Sequence, residues 1–290
     1  MNNIKPINLI GIDNCDRYEV IYANRINILS KYKMFAVHSS YEEVNMLELK
    51  NIKWKTPDGD EILKNISLEI EKGKLTVITG PNGSGKTTLA KIIAGLETPT
   101  EGQIFLDGED ITDWDITKRA KSGIGYSFQQ PVKFKGFTVR DILELSADSN
   151  LPDGEICDVL GKVGLCTKDY IDRFLDSGLS GGESKRIEIA SVLARKNVRV
   201  MVFDEPEAGI DLWSFAGLID AFLELKKTND EALLIISHQE RILDIADKIV
   251  VIDDGNIRTQ GEKAIVLPQL LSGEISSVCP LEVDGKEVLV

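Results

Sequence analysis

The densest chemistry in the chain lies in Gly80-Pro81-Asn82-Gly83-Ser84-Gly85-Lys86-Thr87-Thr88. These residues fit G-x-x-x-x-G-K-[ST], the phosphate-binding P-loop. Glycine lets the backbone curl and turn its N–H groups onto phosphate oxygens. Lys86 is expected to reach the β- and γ-phosphates of a nucleotide, and the Thr87 hydroxyl to hold Mg²⁺. Further on, Asp204 and Glu205 stand side by side after an apolar run. Asp204 suits a magnesium ion held through water. Glu205, one residue later, points elsewhere and suits the polarising of a water for attack on a γ-phosphate. ATP and Mg²⁺ are therefore the expected ligands. The plain alternatives are a chance glycine turn and a solvated acidic turn.

The elements that must position these groups argue against both alternatives. Leu75-Thr76-Val77-Ile78-Thr79 reads as a short β-branched strand, and Leu89, Ile92, Ile93 and Leu96 recur at helical spacing. The glycines thus lie between a strand and a helix N-terminus, which adds free donors and partial positive charge. Val198 to Phe203 is a nearly continuous apolar run, as in a parallel strand covered on both faces. It delivers Asp204 and Glu205 to its C-terminal end, where α/β sheets place ligands. Ala232 to Ile236 is a second such strand and ends at Ser237-His238; Lys248 to Ile252 is a third.

Before the P-loop, residues 46–70 read as strand, turn at Pro57-Asp58-Gly59, and strand. After it come strands at Gln103 to Leu106 and at Ile124 to Phe128. From 131 to about 185 the chain changes character: several glycines separate short helical patterns such as Val139 to Leu145 and Ile156 to Val163. This segment reads as a helical subdomain inserted in the α/β core. Residues 1–45 hold no periodicity and read as a poorly ordered extension, with Met46 a candidate true start. Residues 263–290 read as a weakly patterned tail.

Bulk properties narrow the partners. The 290 residues carry a net charge of -13, which disfavours a nucleic-acid backbone as partner. No apolar stretch approaches the roughly 18 residues of a membrane span, and no signal-peptide pattern is present, so a cytoplasmic protein is expected. Cys15, Cys157, Cys166 and Cys279 are scattered without C-x-x-C and read as reduced thiols rather than a metal site.

Leu179-Ser180-Gly181-Gly182-Glu183 lies between the P-loop and Asp204-Glu205 and resembles the signature of ABC-type ATPases. Over residues 46–262 the other motifs of that family follow in order. Gln129 matches its Q-loop glutamine, Ala208-Gly209-Ile210-Asp211 its D-loop, and His238 its switch histidine. The resemblance implies an ABC-type nucleotide-binding domain of the P-loop NTPases, with an antiparallel β subdomain and the helical insert. It implies an ATP-dependent head-to-tail dimer, in which Ser180, Gly181, Gly182 and Asp211 meet nucleotide on a second copy. Gln129 would touch metal and attacking water, and His238 the γ-phosphate. An adenine-stacking aromatic is usual before the first turn. Thr56 aligns there, and Trp54 faces the same side.

Glu183-Ser184-Lys185-Arg186-Ile187-Glu188 is similar to the G-G-E-x-K-R-x-E stretch of SufC, the ATPase of SUF iron–sulfur cluster assembly. Phe128-Gln129-Gln130-Pro131-Val132 resembles the F-Q-x-P-V of the same family. Glu205-Pro206-Glu207-Ala208-Gly209-Ile210-Asp211 departs from its usual E-S-D-S-G-L-D, which points to a minimal or divergent system. The resemblance implies a soluble SufB/SufD-like scaffold as partner. The alternatives are the ATPase of a membrane transporter with a permease partner, and a nucleotide-operated switch that barely turns over; Glu205 and His238 speak against the switch. Phe134 and Phe137, flanked by Lys133 and Lys135, are the expected partner-facing anchors.

Overall fold

The computed structural model describes residues 45–132, 134–175, 178–228 and 231–272. The chain divides into two units, Met1–Ser40 and Tyr41–Val290, and the described residues all belong to the second. The expectations for residues 1–44, for Lys133, for Cys15 and Cys279 and for the end of the tail lie outside the described residues.

In chain order the elements are β1 (Asn45–Lys55), β2 (Glu61–Glu71), β3 (Leu75–Thr79), α1 (Lys86–Ala94), β4 (Glu101–Leu106), β5 (Glu109–Asp110), α2 (Ile116–Lys121) and β6 (Ile124–Ser127). Then come α3 (Val139–Ala147), α4 (Asp153–Lys162), α5 (Thr167–Tyr170), α6 (Gly181–Leu193), β7 (Val200–Asp204) and α7 (Leu212–Thr228). The last are β8 (Ala232–Ile236), α8 (Glu240–Ile245), β9 (Lys248–Asp253), β10 (Asn256–Glu262) and α9 (Lys263–Leu271). The described strands form one sheet in the order β5-β4-β1-β2-β10-β9-β3-β8-β7-β6.

The centre of the sheet is parallel: β3 pairs with β8 and β9, and β7 pairs with β8 and β6. Every residue of β3, β7 and β8 is buried, because both faces are covered. The period of two divides their side chains between two cores. Val77, Met201, Phe203, Leu233 and Ile235 join the core that holds α3, α4, α6 and α7. Ile78, Val200, Val202, Leu234 and Ile236 join the core shared with α1 and the antiparallel strands β1, β2 and β4. Each fully buried Ile or Leu here contributes about 2 kcal/mol.

The P-loop helix is stopped by Gly95, whose left-handed backbone lets its N–H reach the Ile92 carbonyl. Arg119, only 1% exposed, finishes that end. It donates to the carbonyls of Ile92 (2.5 Å), Ile93 (3.0 Å), Trp114 (3.0 Å) and Thr112 (2.8 Å). A cation at a helix C-terminus also meets the negative end of the macrodipole.

The structure departs from the sequence reading at several ends. Leu96 falls beyond α1, and Phe128 beyond β6. The expected tail opens with a helix, α9, whose Val266 is 1% exposed in the main core. The helices α2 and α8 had no clear periodic signal and are only six residues each. No helix among the described residues is long and apolar enough to cross a membrane. Cys157 and Cys166 are exposed free thiols.

Candidate functional site

The loop between β3 and α1 is built around glycines that nothing else can replace. Gly80 has φ 138, and a Cβ there would lie 1.9 Å from the Ile252 carbonyl oxygen. Gly85 has φ 99, and a Cβ there would lie 2.5 Å from Leu63 Cδ2. Gly85 is also the N-cap of α1, with no side chain taking up the first N–H groups. Those donors are therefore left for an anion. The buried Ser84 hydroxyl is likewise without a hydrogen-bond partner. A phosphate chain satisfies both. The Lys86 ammonium sits inside the same curl and donates to the carbonyls of Gly80 (2.8 Å) and Pro81 (2.7 Å). Burial pulls its pKa down, while Glu205 and Asp204 push it back up.

Asp204 is wholly buried at the end of β7. It accepts from the Thr87 hydroxyl at 3.2 Å and from the Tyr126 hydroxyl at 3.3 Å. Burial raises its pKa most; the Thr87 hydrogen bond opposes this, and the Glu205 charge adds to it. A hydroxyl and a buried carboxylate in contact are hard oxygen donors of the kind Mg²⁺ takes. Among the described residues no cluster of three or more His, Cys, Asp or Glu forms. A cation here would use these two oxygens and keep waters, as Mg²⁺ does.

Glu205 parts from Asp204 through its backbone. Its φ is 45, in the left-handed region that a non-glycine residue occupies at a cost of about 1–3 kcal/mol. Its N–H donates to the Ile236 carbonyl at 3.0 Å, which holds the turn. The carboxylate then meets two partners. Gln129 Nε2 donates to Glu205 Oε2 at 2.7 Å, and His238 Nε2 lies 4.0 Å from Oε1. The second separation leaves room for adjustment or a bridging water. Burial, and then the Lys86 charge, lower the His238 pKa, while the Glu205 charge opposes them.

Lys86, Thr87, Gln129 and Glu205 open onto one cleft of about 590 Å³, while Asp204 and Tyr126 line an adjoining cleft that shares Thr87 and Gln129 with it. The lining of the first includes Trp54, Thr56, Ile62, Lys86, Thr87, Gln129 and Glu205. Both residues considered for adenine stacking, Trp54 and Thr56, thus face it; Asn82, Gly83 and Thr88 line it too. A second cleft, of about 620 Å³, is lined by residues such as Leu145, Arg195 and Asn197 and shares no residue with the P-loop site.

The signature residues do not line the nucleotide cleft of their own chain. Ser180 caps α6: its hydroxyl accepts from Glu183 N–H at 3.2 Å, and Glu183 accepts from Ser180 N–H at 2.7 Å. Glu183 also accepts from the Tyr170 hydroxyl at 2.5 Å. That bond and the cap hold its pKa down to about 2. Gly182 packs on the D-loop so closely that a Cβ would lie 2.5 Å from the Gly209 carbonyl oxygen. Asp211 accepts from the N–H and hydroxyl of Ser214 at 3.0 and 2.6 Å, at the start of α7.

Sequence reasoning overlooked two connections. Tyr126 reaches Asp204, as described. Lys185 is fully buried and donates to the carbonyls of Asp204 (3.1 Å), Gln129 (3.5 Å) and Phe128. Glu188 accepts from the Phe128 N–H at 2.5 Å. Charges three apart on a helix usually mark a solvated pair. Only the packing of α6 against β6, with Lys185 reaching the Asp204 carbonyl, reveals that these hold the Q-loop.

The comparisons agree with this geometry. A family model described as ABC transporter matches residues 63–208. The chain is 38% identical over 210 residues to an uncharacterised ABC transporter ATP-binding protein of Methanocaldococcus jannaschii, covering 70% of this chain and 83% of that one. It is 33% identical over 239 residues to an energy-coupling factor transporter ATP-binding protein of Mycoplasma mobile, covering 80% and 86%. A solved dimeric bacterial ABC transporter cassette is 25% identical and superposes with a TM-score of 0.68, over 75% of this chain and 99% of that one. With a phosphate loop, an oxygen-donor pair for Mg²⁺ and a carboxylate lining the cleft, the chain belongs to the ABC transporter ATP-binding family and is an ATPase that uses ATP with Mg²⁺.

Proposed function

We propose that this chain works in a pair, closing head-to-tail on a second copy with ATP between the phosphate loop of one and the signature of the other. One observation carries the reading. Lys86, Thr87, Gln129 and Glu205 surround a single cleft, while Ser180, Gly181 and Gly182 lie outside its lining. The signature can serve a nucleotide only on another molecule. The solved relative described as dimeric supports this. The ATPase domain spans residues 46–262 together with α9, which packs Val266 into the same core, and residues 131–185 are the subdomain that moves Gln129 and the signature.

Lys86, Ser84 and the first N–H groups of α1 bind the phosphates. Thr87 and Asp204 hold Mg²⁺, with Gln129 beside them. When bound there, the ion would supply neutralisation of charge on the phosphate oxygens. Glu205 takes the proton from the attacking water, and His238 donates to the γ-phosphate. Water adds to the γ-phosphorus as the bond to the ADP oxygen breaks, leaving ADP and phosphate.

For the partner, the names of the relatives favour a membrane permease, so the ATP-binding subunit of a transporter stands first. The second reading, a SUF-type scaffold, rests on the resemblance of the signature helix alone. The SufC-like residues Lys185 and Glu188 are the pair that grips the Q-loop. Affinity purification from native cells, split into membrane and soluble fractions, tests this. A permease recovered with the chain supports the first reading, and a soluble scaffold supports the second.

A further inference from the structure

Two loops leave neighbouring strands at the mouth of the site. The D-loop follows β7, and the segment Ser237-His238-Gln239 follows β8. Their roots are tied by backbone where Glu205 N–H donates to the Ile236 carbonyl at 3.0 Å, and Ser237 N–H is held on the other side by the Ile78 carbonyl of β3 at 3.1 Å. Beyond the roots, a side-chain link joins them. The Ser237 hydroxyl donates to Glu207 Oε1 at 2.5 Å and accepts from Gln239 N–H at 3.0 Å. Ser237 is fully buried. The other Glu207 oxygen, Oε2, is buried without a hydrogen-bond partner.

Glu207 is itself only partly buried, but a carboxylate with one buried, unmet oxygen is costly and needs a reason. A fixed turn alone does not supply it, because the D-loop already has its own backbone bonds. Ala208 N–H donates to the Glu205 carbonyl and Ile210 N–H to the Glu207 carbonyl, each at 3.1 Å. What Glu207 adds is a connection out of the turn. On one side stands His238, next to Ser237 in sequence and 4.0 Å from Glu205. On the other stands Gly209, against which Gly182 of the signature packs.

We propose that Glu207 is a positioning residue for hydrolysis: through Ser237 it sets His238 against Glu205, and it carries the position of the Gly182–Gly209 contact to that histidine. This rests on the roles given to Glu205 and His238 under the proposed function. Glu207 itself touches no reacting atom. The arrangement of one chain's signature is thereby felt at the same chain's own γ-phosphate site.

The test is steady-state ATP hydrolysis by the full chain, with Mg²⁺, for Glu207→Ala, Glu207→Gln, Ser237→Ala and the Glu207→Ala/Ser237→Ala pair. Each is repeated in a His238→Ala background. Circular dichroism melts check that each variant folds. Glu207→Ala and Ser237→Ala are each expected to lower kcat by about 10- to 100-fold, the scale of a misplaced catalytic group, with KM for ATP changed less than about 2-fold. The pair should lose no more than either alone. Glu207→Gln keeps an acceptor for Ser237 and should recover most of the rate. In the His238→Ala background the Glu207→Ala loss should disappear. Additive losses, a KM effect at unchanged kcat, no recovery by glutamine, or a full Glu207→Ala loss without His238 would overturn the proposal. Should Glu207→Ala not fold, Ser237→Ala with normal kcat overturns it alone. If His238→Ala and Glu205→Gln themselves leave turnover unchanged, the proposed site roles fail instead, which is a distinguishable result.

Discussion

Gln129 Nε2 donates to Glu205 Oε2 at 2.7 Å, joining the start of the helical segment to the end of β7. Lys185 reinforces that junction from below, by holding the carbonyls of Gln129 and Asp204. The carboxylate proposed to activate water and the segment proposed to feel the partner are therefore one hydrogen bond apart. Glu205→Gln keeps the shape and removes the base. It is expected to leave ATP binding intact and to slow hydrolysis about 10²-fold or more. It should also trap an ATP-bound dimer. Gel filtration with ATP and Mg²⁺ and a phosphate-release assay check both, and an unchanged monomer with normal turnover removes Glu205 from this role.

The divided site makes a second prediction. Lys86→Ala removes a charged contact to phosphate, and Ser180→Arg blocks the signature face while sparing nucleotide binding. Each homodimer should be inactive. Mixed together they should regain activity at one composite site, because one chain still offers an intact P-loop side and the other an intact signature. Activity of the mixture under dimerising conditions is the measurement; none at all refutes the sandwich.

Arg119 predicts a stability effect remote from the cleft. Arg119→Met keeps much of the stem but leaves the carbonyls of Ile92, Ile93, Thr112 and Trp114 without their donor. Burial already draws the guanidinium pKa down to about 10, a sign of how deeply the group is set. Orphaned buried acceptors cost about 1–3 kcal/mol each, partly relieved by relaxation. A net loss of about 3 kcal/mol in urea unfolding is expected, while ATP affinity of the folded protein changes little. An unchanged midpoint would show that the cap contributes nothing net.

Glu183 gives a pH dependence. Its folded pKa, about 2, is depressed from an ordinary value of 4.5, first by the Tyr170 hydroxyl and then by the Ser180 cap. The carboxylate therefore adds stability that is fully present above pH 4.5 and is lost as pH falls toward 2. Wild type should exceed Glu183→Gln in melting temperature at pH 7, and the gap should close steadily below pH 4.5. A gap independent of pH would mean that the charge of Glu183 is not what the cap uses.

Much of this was legible in the chain because local signals agreed. The runs that became β3 and β8 are apolar, bounded by turns and buried throughout, so the strands formed at the limits read from them. The P-loop needed only glycines in the right backbone state. What stayed hidden depended on partners distant in sequence. Lys185 looks like a surface charge until α6 packs on the sheet. Glu207 looks like any acid in a turn until β8 brings Ser237 to it. In α9 the pattern was broken by Pro268, which lies inside the helix all the same. A proline in a helical pattern ordinarily argues for a break.

The last prediction separates the two partner readings. Phe134 and Phe137 are each 41% exposed, and their rings meet edge-to-face at 6.3 Å. Phe134 also borders a small apolar groove with Val132, Ile142, Leu175 and Ile187. Both aromatics follow Gln129 within a few residues, so a protein seated there would be coupled to Glu205 through the Q-loop. Phe134→Asp or Phe137→Asp removes an apolar anchor without touching the nucleotide cleft. Basal ATP hydrolysis by the purified variants should stay within about 2-fold of wild type, since surface substitutions away from a site are usually mild. Recovery of the partner from native cells should fall sharply. If the protein lost is a permease from the membrane fraction, the transporter reading stands and the SUF-type reading is excluded. A soluble scaffold lost in the same way reverses that choice. If full partner recovery persists with both variants, the docking surface lies elsewhere on the chain.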